Sequence, residues 1–136
     1  MVRPIMHDPM FLAQPSQNAT AADKAIMTDL MDTLRAHAEG CVGMAANMIG
    51  VRKRMIAVNM GLMNVALANP VILRKSGPYE AEEGCLSLSG VRKTTRYREI
   101  EVSFLDSDFR PRKQVYTGWI AQIIQHEIDH CNGVLI

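Results

Sequence analysis

The spacing of His126, Glu127 and His130 constrains this chain more than any other feature. On an α-helix two histidines four residues apart lie on one face, and both imidazoles can then reach one metal ion. Glu127, next to the first of them, can reach a water at that ion as a general base. Read in this way, the pattern predicts a helix in the last part of the chain. The boundaries are readable. Thr117 is a cap candidate, the helix is predicted to run to Cys131, and Gly133 stands where a helix C-terminus favours glycine. The bland alternative is an ordinary helix whose histidines are surface or core polar residues. It is the weaker one, because two of the only four histidines in 136 residues fall at this spacing.

Periodicity supplies the other elements. Thr20 and Asp23 open a helix predicted over about 20–38, with Ile26, Leu30 and Leu34 at i+4 steps joined by Met27 and Met31, and with Gly40 as its stop. Residues 40–50 are a glycine-punctuated apolar loop or short strand. Arg54–Asn59 and Val65–Leu73 are predicted strands, the second bent or at an edge because of Asn69-Pro70. Ser76-Gly77-Pro78 is predicted as a turn. Ile100, Val102 and Phe104 alternate with polar residues as in a half-buried strand, Asp106–Pro111 turns, and Lys113–Tyr116 returns. Strands bunch between helices instead of alternating with them. The expected class is α+β, with small antiparallel sheets packed around the C-terminal metal-binding helix and one N-terminal helix. The length predicts one domain over residues 1–136.

Two imidazoles do not complete a metal site, since catalytic ions usually take three protein ligands and keep one position open. Only Cys131–Ile136 follow His130, so the third ligand is expected upstream. His7, His37, Cys41, Cys85 and several carboxylates compete. Cys85 is the best placed of these, because Gly84 lets the backbone approach closely, although a cysteine alone is more often a small core residue. Three cysteines, an odd number without scaffold spacing, are expected to be free thiols or ligands in a reducing, cytoplasmic setting. A Cys-His-His set suits Fe(II), Zn(II), Co(II) or Ni(II).

Charge removes other classes. Fifteen basic and fourteen acidic residues leave a net charge of +1, with no basic run and no direct nucleic-acid motif. No apolar run escapes charge long enough to span a membrane, and the first residues lack the apolar core of a signal peptide.

Taken together, these residues resemble the peptide deformylase family in three ordered motifs. Glu83-Gly84-Cys85-Leu86-Ser87 matches one completely. Gln125-His126-Glu127-Ile128-Asp129-His130 matches another, with Asn132-Gly133 following. Cys41-Val42-Gly43-Met44-Ala45-Ala46-Asn47-Met48 matches the remaining one in part, and Met6-His7-Asp8-Pro9 also fits. The resemblance implies Cys85, His126 and His130 as metal ligands, Glu127 as acid/base, and the Leu86 N–H as an oxyanion donor. It implies one divalent ion, natively Fe(II), with Zn(II), Ni(II) or Co(II) able to substitute. It implies removal of the N-formyl group from the methionine of nascent chains, with possible transient ribosome contact. A peptide-binding protein with little or no turnover is the alternative. Val42, Gly43, Met48, Arg92, Trp119 and Ile123 are the expected substrate contacts. Trp119 and Ile123 share a stripe with the two histidines, and plain core packing is the other reading for both.

Three departures stand out. Cys41 replaces the family's first glycine, Met48 replaces a glutamine whose amide bonds the reacting oxygen, and the chain stops soon after the metal helix. Weakened activity is expected from Met48, unless Met48 merely packs and Asn47 or a water supplies the donor.

Overall fold

The computed structural model describes residues 1–136. It is an α+β arrangement of one five-stranded antiparallel sheet and three α-helices. The strands are β1 (Gly43–Ala45), β2 (Met55–Asn59), β3 (Asn64–Cys85), β4 (Leu88–Leu105) and β5 (Pro111–Thr117), and their spatial order is their sequence order. A meander of this kind needs only short reversals, which is why the strands bunch along the chain. The expected small sheets are thus a single sheet. The helices are α1 (Pro9–Leu12), α2 (Lys24–Ala36) and α3 (Gly118–Cys131); α1, a single turn, adds to the one N-terminal helix expected.

Strand β2 is buried along Met55, Ile56, Ala57 and Val58, on both faces, and both long helices contact it. Met27, Leu30 and Leu34 of α2 are buried, with Ile26 and Met31 at the margin of the same stripe. Each such leucine contributes about 1.5–3 kcal/mol by leaving water. Ala121, Ile124, Ile128 and Cys131 of α3 are buried in the same core. This packing, more than propensity, makes α3 a fixed platform for His126 and His130.

Four local expectations change. The helix predicted from Thr20 begins as a 3₁₀ turn over Ala21–Asp23, with the Asp23 carboxylate accepting from the Thr20 N–H at 2.8 Å. It ends before Gly40: the His37 ring meets the Thr33 carbonyl at 2.9 Å and closes the last turn, so His37 is a cap and no ligand. Thr117 occupies the cap position of α3, but its hydroxyl makes no capping bond.

The largest change is Ser76-Gly77-Pro78, which lies inside β3 and reverses nothing. Gly77 takes φ +72° there, and a Cβ would stand 3.1 Å from the Arg98 Cβ. Turn chemistry produces a kink here because pairing continues on both sides, from Arg74 opposite Glu101 to Gly84 opposite Val91. Asn69-Pro70 does bend the strand, with Asn69 at φ +49° beside a break in register. The Asn69 side chain brackets Ala19, accepting from its N–H at 2.7 Å and donating to its carbonyl at 3.0 Å. Gly133 closes α3 as expected: at φ +76° its N–H donates to the His130 carbonyl, and the Val134 N–H donates to that of Asp129.

Candidate functional site

Helix α3 presents His126 and His130 on one face, and the β3–β4 hairpin brings Cys85 to them. One donor atom from each lies within 4.8 Å of the others. The two Nε2 atoms are 3.1 Å apart. Two lone pairs cannot face each other at that distance without a proton or cation between them. An ion with bonds of about 2.0–2.1 Å in tetrahedral geometry would space two nitrogens by about 3.3 Å. The donor set therefore fits a divalent metal, and a thiolate with two imidazoles suits borderline ions. His130 Nδ1 and Glu127 Oε1 are buried without hydrogen-bond partners.

A cluster around Glu83 orients His126. The Glu83 Oε1 meets His126 Nδ1 at 2.7 Å, so Nδ1 carries the proton and Nε2 is left to face His130 and Cys85, where it could ligate an ion. Arg96 holds the same carboxylate in bidentate fashion, through Nε at 2.9 Å and Nη2 at 2.7 Å, and reaches Asp129 at 2.6 Å through Nη1. Gln122 Nε2 donates to Glu83 Oε2 at 3.0 Å. Burial opposes ionisation of Glu83, but bonds from His126 and Arg96 outweigh it and hold the carboxyl down at about 2. Burial likewise opposes charge on His126, yet Cys85 and Glu83 push it up to about 10. Burial and the neighbouring His126 drive His130 down to about 3, as expected of two rings that cannot both be charged. Burial raises Glu127 to about 7.

One solvent-open cavity of about 200 Å³ adjoins these groups. It is smaller than the ~300–1,000 Å³ typical of drug-sized ligands and suits one side chain and a small acyl group. Val42, Gly43, Met48, Trp119, Ile123, Leu86, Cys85, His126 and Glu127 all line it. Trp119 is 60% exposed at its mouth, whereas Ile123 is buried. Arg92 is not among the lining residues; it stands opposite Glu83 on β4 with one guanidinium nitrogen buried and unpaired.

Of the competing ligands, His7 bonds to Ser87 and Cys41 donates to the Gly43 carbonyl at 2.9 Å. Cys41 still lines the cavity, and its burial pushes the thiol up to about 11. The motif residue Gln125 is structural: its side chain pairs with both backbone groups of Tyr97, at 2.9 and 2.8 Å, and locks α3 to β4. Sequence spacing did not reveal the Arg96 and Asp129 partnership, because it depends on hairpin register.

Gly43 has no room for a side chain. A Cβ would lie 2.6 Å from Ile123 Cγ2 and 2.9 Å from Glu127 Oε2, and β1 is held in register by β2. Overpacking of this kind costs about 1–3 kcal/mol. Gly43→Ala is expected to lower the melting midpoint by roughly 3–10 °C in a thermal scan. An unchanged midpoint would mean that Glu127 and Ile123 yield freely.

The polypeptide deformylase family model matches residues 2–136. The peptide deformylase of Clostridium beijerinckii is 55% identical over 136 residues, covering all of both chains. The structure of a Legionella pneumophila peptide deformylase superposes with a TM-score of 0.88 at 33% identity, over 99% of this chain and 83% of that one. A Met-Ala-Ser-bound class I type b peptide deformylase from Acinetobacter baumannii superposes at 0.87 and 27% identity, over 99% and 97%.

Proposed function

Because this chain belongs to the polypeptide deformylase family, we propose that it hydrolyses the N-formyl group from the methionine that begins newly made polypeptides. One observation carries the reading to particular residues. Donor atoms of Cys85, His126 and His130 converge within 4.8 Å beside a Glu127 oxygen that has no partner. The family is metal-dependent, and a divalent ion bound by those three side chains supplies Lewis acidity and an acidified water.

The chain's own groups do the rest. Glu127 takes the proton of the attacking water and returns it to the leaving amine. Glu83 holds the Nδ1 proton of His126 and so keeps Nε2 turned to the site. The Leu86 N–H donates to the formyl oxygen as negative charge develops there. Val42, Trp119 and Ile123 offer apolar contact to a methionine side chain, in keeping with the Met-Ala-Ser bound by the Acinetobacter relative. The small cavity favours formyl over larger acyl groups. No helix of the structure is long and apolar enough to cross a membrane.

A second reading is favoured by Met48, which lines the cavity with a side chain that cannot donate a hydrogen bond. It is a family member that binds metal and peptide with little turnover. Protein loaded anaerobically with Fe(II) or Co(II) separates the two. Formate release from formyl-Met-Ala-Ser, with acetyl-Met-Ala-Ser untouched, is expected. Bound metal with no formate released supports the second reading, and cleavage of the peptide bonds overturns both. X-ray absorption on the same sample should show one sulfur and two imidazoles at the metal; a first shell without sulfur rules out Cys85.

A further inference from the structure

We propose that residues 6–16 form a brace across the three stretches that carry the site, and that His7 is a positioning residue for the Cys85 turn. The proposal rests on the deformylase reading for its catalytic readout and on the proposed metal site for its Co(II) readout, while deuterium uptake needs neither. Three hydrogen bonds define the brace. The Met6 N–H donates to the Met48 carbonyl at 2.7 Å. The His7 ring meets the Ser87 carbonyl at 3.1 Å through Nδ1, which carries the proton because a carbonyl only accepts. The Ser16 N–H donates to the Cys131 carbonyl at 2.8 Å. These three acceptors belong to the Met48 segment, the turn after Cys85, and the residue after His130.

The brace is itself anchored. The Asp8 carboxylate caps α1 by accepting from the Met10 N–H at 3.0 Å, and Leu12 is fully buried. Where it passes the end of α3 the fit is close: a Cβ on Gly133 would lie 2.5 Å from the Ala13 carbonyl oxygen.

The Ser87 contact matters most because of where it acts. Cys85 pairs with Leu88, so Leu86 and Ser87 form the tip of the β3–β4 hairpin. Hairpin tips open locally at little cost. This one bears a proposed metal ligand at its base and the Leu86 N–H beside it. Holding the Ser87 carbonyl limits how far both can move. It is also the one tie of the three made by a side chain, so it can be removed without breaking backbone pairing.

The test compares wild type, His7→Ala and His7→Asn, whose amide N–H stands near the position of Nδ1–H. Three readouts apply: deuterium uptake by the segment spanning 84–88, loss of Co(II) to EDTA, and steady-state kinetics on formyl-Met-Ala-Ser. Losing one hydrogen bond predicts His7→Ala uptake and Co(II) loss about three- to tenfold faster. Strand β2 should exchange as in wild type, kcat should fall more than KM changes, and His7→Asn should recover most of the difference. Wild-type uptake and Co(II) loss in His7→Ala would overturn the proposal. So would an equal rise of exchange in β2, or an Asn variant no better than Ala. Uptake and Co(II) loss need no turnover. A protein inactive on formyl peptides yet responding in this way would lose the deformylase reading and keep the brace.

Discussion

Glu127→Gln should retain one metal per chain and lose about 10²–10⁴ of its hydrolytic rate, the usual worth of a positioned acid–base group. Gln keeps the shape of the side chain and cannot take the proton of a water. Shape matters here, since Glu127 is 4% exposed and, with Ile123, lies against Gly43. A smaller residue would open a cavity and confound the result. The donor set of Cys85, His126 and His130 does not include Glu127, so metal content should hold. Metal analysis and formate release on one preparation check both halves. Full metal with undiminished rate would remove Glu127 from the role of base.

Met48→Gln is expected to work in the opposite direction and raise kcat/KM at least about tenfold. Met48 is 1% exposed, lines the cavity, and accepts the Ala45 N–H on its sulfur at 3.4 Å. A glutamine of similar length could accept that N–H on Oε1 and leave Nε2 to donate into the cavity. One oxyanion donor is worth about 10²–10³ in rate in a well-studied hydrolase. A tenfold gain therefore allows for imperfect aim. The other donor considered, Asn47, does not line the cavity, and its Nδ2 donates instead to the His130 carbonyl at 2.8 Å. Kinetics on a formyl-Met peptide, with metal affinity measured in parallel, decide the matter. A vigorous wild type with no gain from Met48→Gln would show that Met48 only packs.

What was legible in the sequence was whatever repeats within one element or sits in one short stretch. The i, i+4 spacing of His126 and His130 puts both rings on one face of a helix, and α3 is that helix. The stripe of Met27, Leu30 and Leu34, the alternation around Ile100–Phe104, and the glycine at 133 act over a few residues in the same way. Each is a local constraint, set by 3.6- or 2-residue periodicity or by one residue's allowed φ, and each reappears in the structure.

Tertiary structure decided what depends on pairing between distant segments. Ser76-Gly77-Pro78 carries turn chemistry, yet β4 pairs on both sides of it and makes it a kink within a 22-residue strand. Gln125, read only as part of a motif, became the lock between α3 and β4. Arg96 and Asp129 showed no sign of a role until the hairpin and α3 brought Arg96 within 2.7–2.9 Å of Glu83 and 2.6 Å of Asp129. The same holds for the ties from Met6, His7 and Ser16 to Met48, Ser87 and Cys131. A sequence displays which residues could donate or accept at every position. Only the folded chain brings a donor within about 3 Å of its acceptor, because hydrogen bonding falls off steeply beyond that distance.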